Sequence, residues 1–172
     1  MVLEKKIEYW TCAIVVLLLI LSKIIKHPPN FSPFLSILTV STFLIRNKIL
    51  LVASIFLSLI VSDLIIGLYS GVSILYLVLI FIAISTPIFF KKIIPSNILP
   101  ISLYVSLSFF ILSSPIHHIV DNQMNFNFEI IKNIYIDGFS FFISSLLSTT
   151  IFNFFLLVII NKLNLKFKIL SK

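Results

Sequence analysis

Six acidic residues, three glycines and one cysteine among 172 residues exclude several kinds of protein at once. With charged side chains at 11% and hydrophobic ones at 59%, the chain has too little polar surface to coat a soluble globule. Its mean hydropathy of +1.17 makes a bilayer its solvent. Three glycines cannot build a Gly-rich phosphate loop, so no nucleotide-hydrolysing site is expected within this chain. Cys12 has no second cysteine, which excludes an internal disulfide and a cysteine zinc site. Neither Gly-x-Ser-x-Gly nor His-Glu-x-x-His occurs, and no helix carries paired carboxylates. The expectation is therefore a protein that is not an enzyme and carries no cofactor or resident metal.

What the sequence does contain is a series of continuous apolar runs. A lipid-embedded chain must satisfy its own backbone hydrogen bonds, and runs without alternation do so as helices rather than as a barrel. The fold expected is all-α, a polytopic membrane helix bundle forming a single domain over residues 1–172, with six transmembrane helices and both termini cytoplasmic. The runs fall at about Tyr9–Ile25, Phe31–Ile45, Ile49–Leu68, Val72–Phe90, Ile98–Val120 and Asp137–Ile160. Most approach the roughly 20 residues that a bilayer requires, and the second, at 15, would have to thin the bilayer or dip and return. Lys5 and Lys6 before the first run resemble a signal peptide, but no small-x-small cleavage site follows before Lys23, which implies a retained helix.

The net charge of +7 does not point to nucleic acid, because the thirteen Lys and Arg residues are scattered singly and in pairs between the runs. If all six runs cross, ten of the thirteen fall on one side, and only Lys23, Lys26 and Lys132 fall on the other. The positive-inside rule makes the ten-residue side cytoplasmic, and the asymmetry supports a crossing by the short second run. The location expected is a bacterial cytoplasmic (inner) membrane, spanned several times.

The opposite, outer side collects the unusual residues. Lys26-His27-Pro28-Pro29-Asn30-Phe31-Ser32-Pro33 is either a stiff helix-ending turn or a rigid lid carrying His27 and Asn30. Asp63 lies roughly 21 Å along the third helix, where an ionisable group needs a cavity or a partner, so it is either a ligand contact or an interhelical bridge. Tyr69 suits an interfacial aromatic belt or the edge of a site. His117 and His118 stand four and three residues before Asp121, close enough on a helix for the carboxylate to orient either imidazole, or else these residues mark where the helix leaves the bilayer. A metal there would need further ligands, for which His27 and Asp63 are the candidates. Asp137 is placed to cap the sixth helix. Ser144, Ser145, Ser148, Thr149 and Thr150 give that helix a small, weakly polar stripe for close packing or docking.

These segments resemble an uncharacterised family of small bacterial integral membrane proteins, a domain of unknown function. The resemblance rests on His27 to Pro33, on Ser62, Asp63, Gly67 and Tyr69, and on Tyr135 followed by Ser140-Phe141-Phe142. The chain departs from the family pattern at Ser140, at Thr149 and over Ser113 to Ile116. That family is in turn similar in size and span count to the S components of energy-coupling-factor transporters. The likeness implies a solute-binding subunit for a vitamin, a precursor or a metal ion, with an outward-facing pocket under a first-connection lid and separate ATPase and coupling subunits as partners. Asp63, His117, His118, Asp121, Asn30, His27 and Tyr69 are then the residues expected to contact a small polar solute. The competing expectation is a non-transporting assembly or scaffold protein whose polar residues only cap and bridge helices.

Overall fold

The computed structural model describes residues 2–116 and 127–162, with side chains from residue 6 onward. The described chain is helical throughout: α1 (Val2–Ile24), α2 (Phe34–Leu44), α3 (Lys48–Ile66), α4 (Val72–Phe89), a 3-10 turn (Pro95–Asn97), α5 (Ile98–Ser113) and α6 (Phe128–Lys162). Five of these six helices are long and apolar enough to cross a membrane.

Local chemistry sets the helix ends. Asn47 starts α3 by accepting hydrogen bonds at Oδ1 from the backbone N–H groups of Ile49 (2.9 Å) and Leu50 (3.4 Å). Gly67 (φ 115°) and Gly71 (φ 80°) hold the turn between α3 and α4 in a region that side chains with a Cβ avoid. α5 ends at Ser113, two residues before Pro115, and the Ser114 hydroxyl donates to the Phe110 carbonyl at 2.6 Å.

Interhelical bonds give the arrangement. Glu8 accepts from the backbone N–H groups of Arg46 and Asn47 at one end of the bundle, and Lys23 pairs with Asp63 toward the other, so α1 and α3 run parallel. α5 and α6 run antiparallel, joined by Asn153 Nδ2 to Ser102 Oγ (3.0 Å) and by Ser106 to Thr149 (3.2 Å). Arg46, Lys48, Lys91 and Lys92 gather at the first of these ends, here termed the basic end. The loop of residues 25–33 lies at the opposite, lid end.

The interior mixes aliphatic side chains such as Leu38, Ile55, Leu59 and Ile101 with many small polar ones, while the exterior is large and apolar. Ser36, Thr39, Ser54, Ser58, Ser102, Ser106, Ser148 and Thr149 are buried, whereas Leu57, Leu64, Leu77, Phe81, Phe154 and Phe155 are exposed. Hydroxyls let helices approach closely in lipid, and the exposed apolar side chains are the surface that lipid wets.

Several boundaries differ from those the sequence predicts. α2 has 11 residues, not 15, and at about 16 Å it is too short to span a bilayer of roughly 30 Å. It is nonetheless the central helix: it packs against all five others, and Phe34 through Thr42 are all buried. Together with the irregular residues before it, α2 carries the chain from the lid end to the basic end. Irregular backbone at membrane depth is tolerated where protein rather than lipid surrounds it, so this helix does not have to match the bilayer. α6 begins at Phe128, nine residues ahead of the predicted start, because Glu129, Lys132 and Asn133 interrupt an apolar run without interrupting a helix. Asp137 is therefore inside α6 and caps nothing, and Glu129 is the acid of the first turn. Of the predicted fifth helix, residues 117–120 lie outside the described residues.

Candidate functional site

At the lid end, four segments converge around a cavity of about 510 Å³: the 25–33 loop, the turn after α3, the last turns of α5 and the middle of α6. α5 contributes Phe109, Phe110, Ser113 and Ser114, while α6 contributes Ile134, Asp137, Gly138, Phe141, Phe142 and Ser145. Both sets repeat at three and four residues, as one face of a helix does. Asn30, Tyr69, Gly71, Leu75 and Ile116 complete the lining.

The lid is built rather than draped. Asn30 adopts φ 55°, a left-handed conformation that Asn tolerates, and Phe31 N–H closes the turn onto the Pro28 carbonyl at 3.0 Å. Ser144 donates to the Pro29 carbonyl (3.0 Å) and Ser148 to the Asn30 carbonyl (3.3 Å), so the serine stripe of α6 is where the lid docks. His27 places Nδ1 3.1 Å from its neighbouring Pro28 carbonyl and Nε2 3.2 Å from the Ser22 carbonyl, tying the lid to the last turn of α1.

Beneath the lid lies a second cavity of about 210 Å³, bordered by Ser22, Lys23, His27 and Ser148. Asn30, Leu75, Phe109 and Ser145 border both cavities. Ser145 is 4% exposed, and among the described residues its hydroxyl has no hydrogen-bond partner. A buried hydroxyl without a partner costs about 1–3 kcal/mol, and its place on a cavity wall leaves it available to a bound molecule.

The expected site residues divide into three groups. Asn30 and Tyr69 line the larger cavity and His27 the smaller one. Asp63, 1% exposed, borders neither: one carboxylate oxygen pairs with Lys23 and the other accepts from the Tyr76 hydroxyl at 2.6 Å, joining α1, α3 and α4. It is thus an interhelical bridge, and Lys23, one of the three cations that the sequence places on the outer side, is its counter-ion. His117, His118 and Asp121 lie outside the described residues.

The electrostatics of the larger cavity are simple. Among the described residues Asp137 is its one charged lining residue, and it makes no salt bridge there. Burial, and then the negative charge of Asp63, raise the Tyr69 phenol above its ordinary pKa of 10.0, so the hydroxyl stays protonated at neutral pH. Phenyl rings, three hydroxyl-bearing serines, an amide, a phenol and one carboxylate together can receive a small organic molecule with an apolar face and a hydrogen-bonding edge. Among the described residues, no three His, Cys, Asp or Glu side chains converge on one point.

Residues 4–170 match the family of unknown function DUF6580. The chain belongs to that family. No curated protein and no solved structure matches it. Membership in DUF6580 specifies no substrate, so the chemistry of the site has to be read from the cavity. Sequence reasoning missed Ser145 as a contact, together with Phe109, Phe110, Ser113, Ser114 and Asp137 as one lining. Their shared three-and-four spacing was the available signal, but an apolar helix carries such spacing on every face.

Proposed function

We propose that this protein is a membrane-embedded solute-binding protein whose cavity at the lid end takes a small organic molecule from the outer side of the membrane. One observation carries the reading: a cavity of about 510 Å³, within the range of ordinary ligand sites, holds a buried hydroxyl at Ser145 that lacks a partner. Among the described residues its lining has a single carboxylate and no cation, which favours a neutral or cationic solute over an anion. The role extends to nutrient uptake as the solute-binding subunit of a transporter, similar to an S component, with ATPase and coupling subunits supplied by other chains. The bacterial inner membrane and cytoplasmic termini belong to the same proposal and draw on the charge asymmetry.

The scaffold reading draws its support from Asp63, whose carboxylate is satisfied inside the bundle. The two readings separate on retained solute. Mass spectrometry of small molecules carried by gently purified protein should find one compound enriched in the wild type. Its retention should fall by roughly tenfold or more in Ser145→Leu, which intrudes on both cavities, and in Asp137→Asn. A wild type that carries no compound, or variants that retain it undiminished, would favour the scaffold. Co-purification with an ATPase tests the transporter role separately.

A further inference from the structure

The basic end holds a cavity of its own, and it is unlike the one under the lid. About 270 Å³ in volume, it is bordered by Arg46, Lys48, Lys91 and Lys92 and, among the described residues, by no acidic one. The rest of its wall is mainly apolar, with Phe43, Leu51, Ile84, Ile88 and Leu157 among the contributors. Among the described residues, Lys48, Lys91 and Lys92 make no salt bridge.

Both cation-bearing turns are fixed by side chains. The Arg46–Asn47 backbone is held by the Glu8 carboxylate at 3.0 and 2.9 Å, and Asn47 then caps α3. The Lys91–Ile94 stretch is held by Asn97, which donates to the Lys92 carbonyl (2.7 Å) and accepts from Ile94 N–H (2.8 Å). The lysines therefore project from ordered backbone on two turns that face one opening.

We propose that this cavity is a binding site for the phosphate headgroup of an anionic phospholipid, with an acyl chain lying along the apolar wall. Basic pockets between helices at the cytoplasmic membrane edge suit such headgroups by charge complementarity. A free phosphate compound shares the anionic group, but it has nothing to lay against Phe43, Ile84 and Ile88. The lipid uses both halves of the wall.

The test uses full-length protein in a neutral detergent, titrated with phosphatidylglycerol, phosphatidylcholine or inorganic phosphate and read by native mass spectrometry and thermal unfolding. The expected result is a roughly tenfold preference for phosphatidylglycerol over phosphatidylcholine, a higher melting temperature with the anionic lipid, and no effect of inorganic phosphate. Lys48→Gln/Lys91→Gln/Lys92→Gln should abolish the preference, while Lys132→Gln, at the lid end, should keep it. Equal binding of the two lipids by the wild type would overturn the proposal, whatever the folding of the variants. So would a triple variant that keeps the preference, or inorganic phosphate matching the lipid.

Discussion

Asp63 shows how one costly residue is accommodated. A carboxylate at 1% exposure in lipid survives because Lys23 neutralises it and Tyr76 hydrogen-bonds it. Removing one partner of a buried pair costs about 3–5 kcal/mol, because the other charge is left uncompensated. Lys23→Met should therefore lower stability by about that amount in detergent unfolding, Tyr76→Phe should cost less, about 1.5–3 kcal/mol, and Lys23→Met/Asp63→Leu should recover much of the loss. A fully stable Lys23→Met protein would show that the pair is not what holds α1 to α3. Tyr69 makes a prediction about pH. A folded-state pKa above the unfolded value means that the native state holds its proton longer, so the contribution of Tyr69 to stability is complete below about pH 10 and is lost as pH rises through the folded pKa. Ultraviolet titration of wild type against Tyr69→Phe should reveal one phenol ionising above pH 10. A difference spectrum already complete at pH 10 would contradict it.

At the scale of elements, the lid and α2 depend on α6. The loop is held to α6 by the Ser144 and Ser148 hydroxyls, and α2 is joined to it by the Ser36 hydroxyl donating to the Thr149 carbonyl (3.0 Å). Neutral bonds of this kind contribute about 0.5–1.5 kcal/mol each. Ser144→Ala/Ser148→Ala should therefore speed amide hydrogen exchange in residues 26–33 while leaving α2 protected, since α2 keeps its own bond and its packing. Unchanged exchange in the loop would mean that the prolines, His27 and the Phe31–Pro28 turn hold it without α6. The helical elements were legible in the sequence because apolar runs set them. Their ends were less so: Glu129 and Lys132 interrupt hydropathy without breaking a helix, and the shortness of α2 reflects a location inside the bundle that no run length reveals.

For the whole molecule, the two cavities sit at opposite ends and differ in charge, one with a lone carboxylate and the other with four cations. That polarity should match the membrane. In a Cys12→Ser background, a cysteine at Asn30 should react with an impermeant thiol reagent in intact cells, whereas one at Ser96, in the 3-10 turn, should react only after permeabilisation. The reverse pattern would invert the molecule and move the proposed solute site to the cytoplasm. The sequence by itself determined the class of solvent, the number of helices and the sorting of charge to one end, because each follows from which side chains lipid tolerates and where cations are retained. Only the tertiary structure decided that the short α2 is the central helix of the bundle, that Lys23 belongs to Asp63, and that Ser145 faces a cavity without a partner among the described residues. Those facts depend on which helix faces meet, and where aliphatic side chains fill the interior as well as the exterior, hydropathy does not distinguish one face from another.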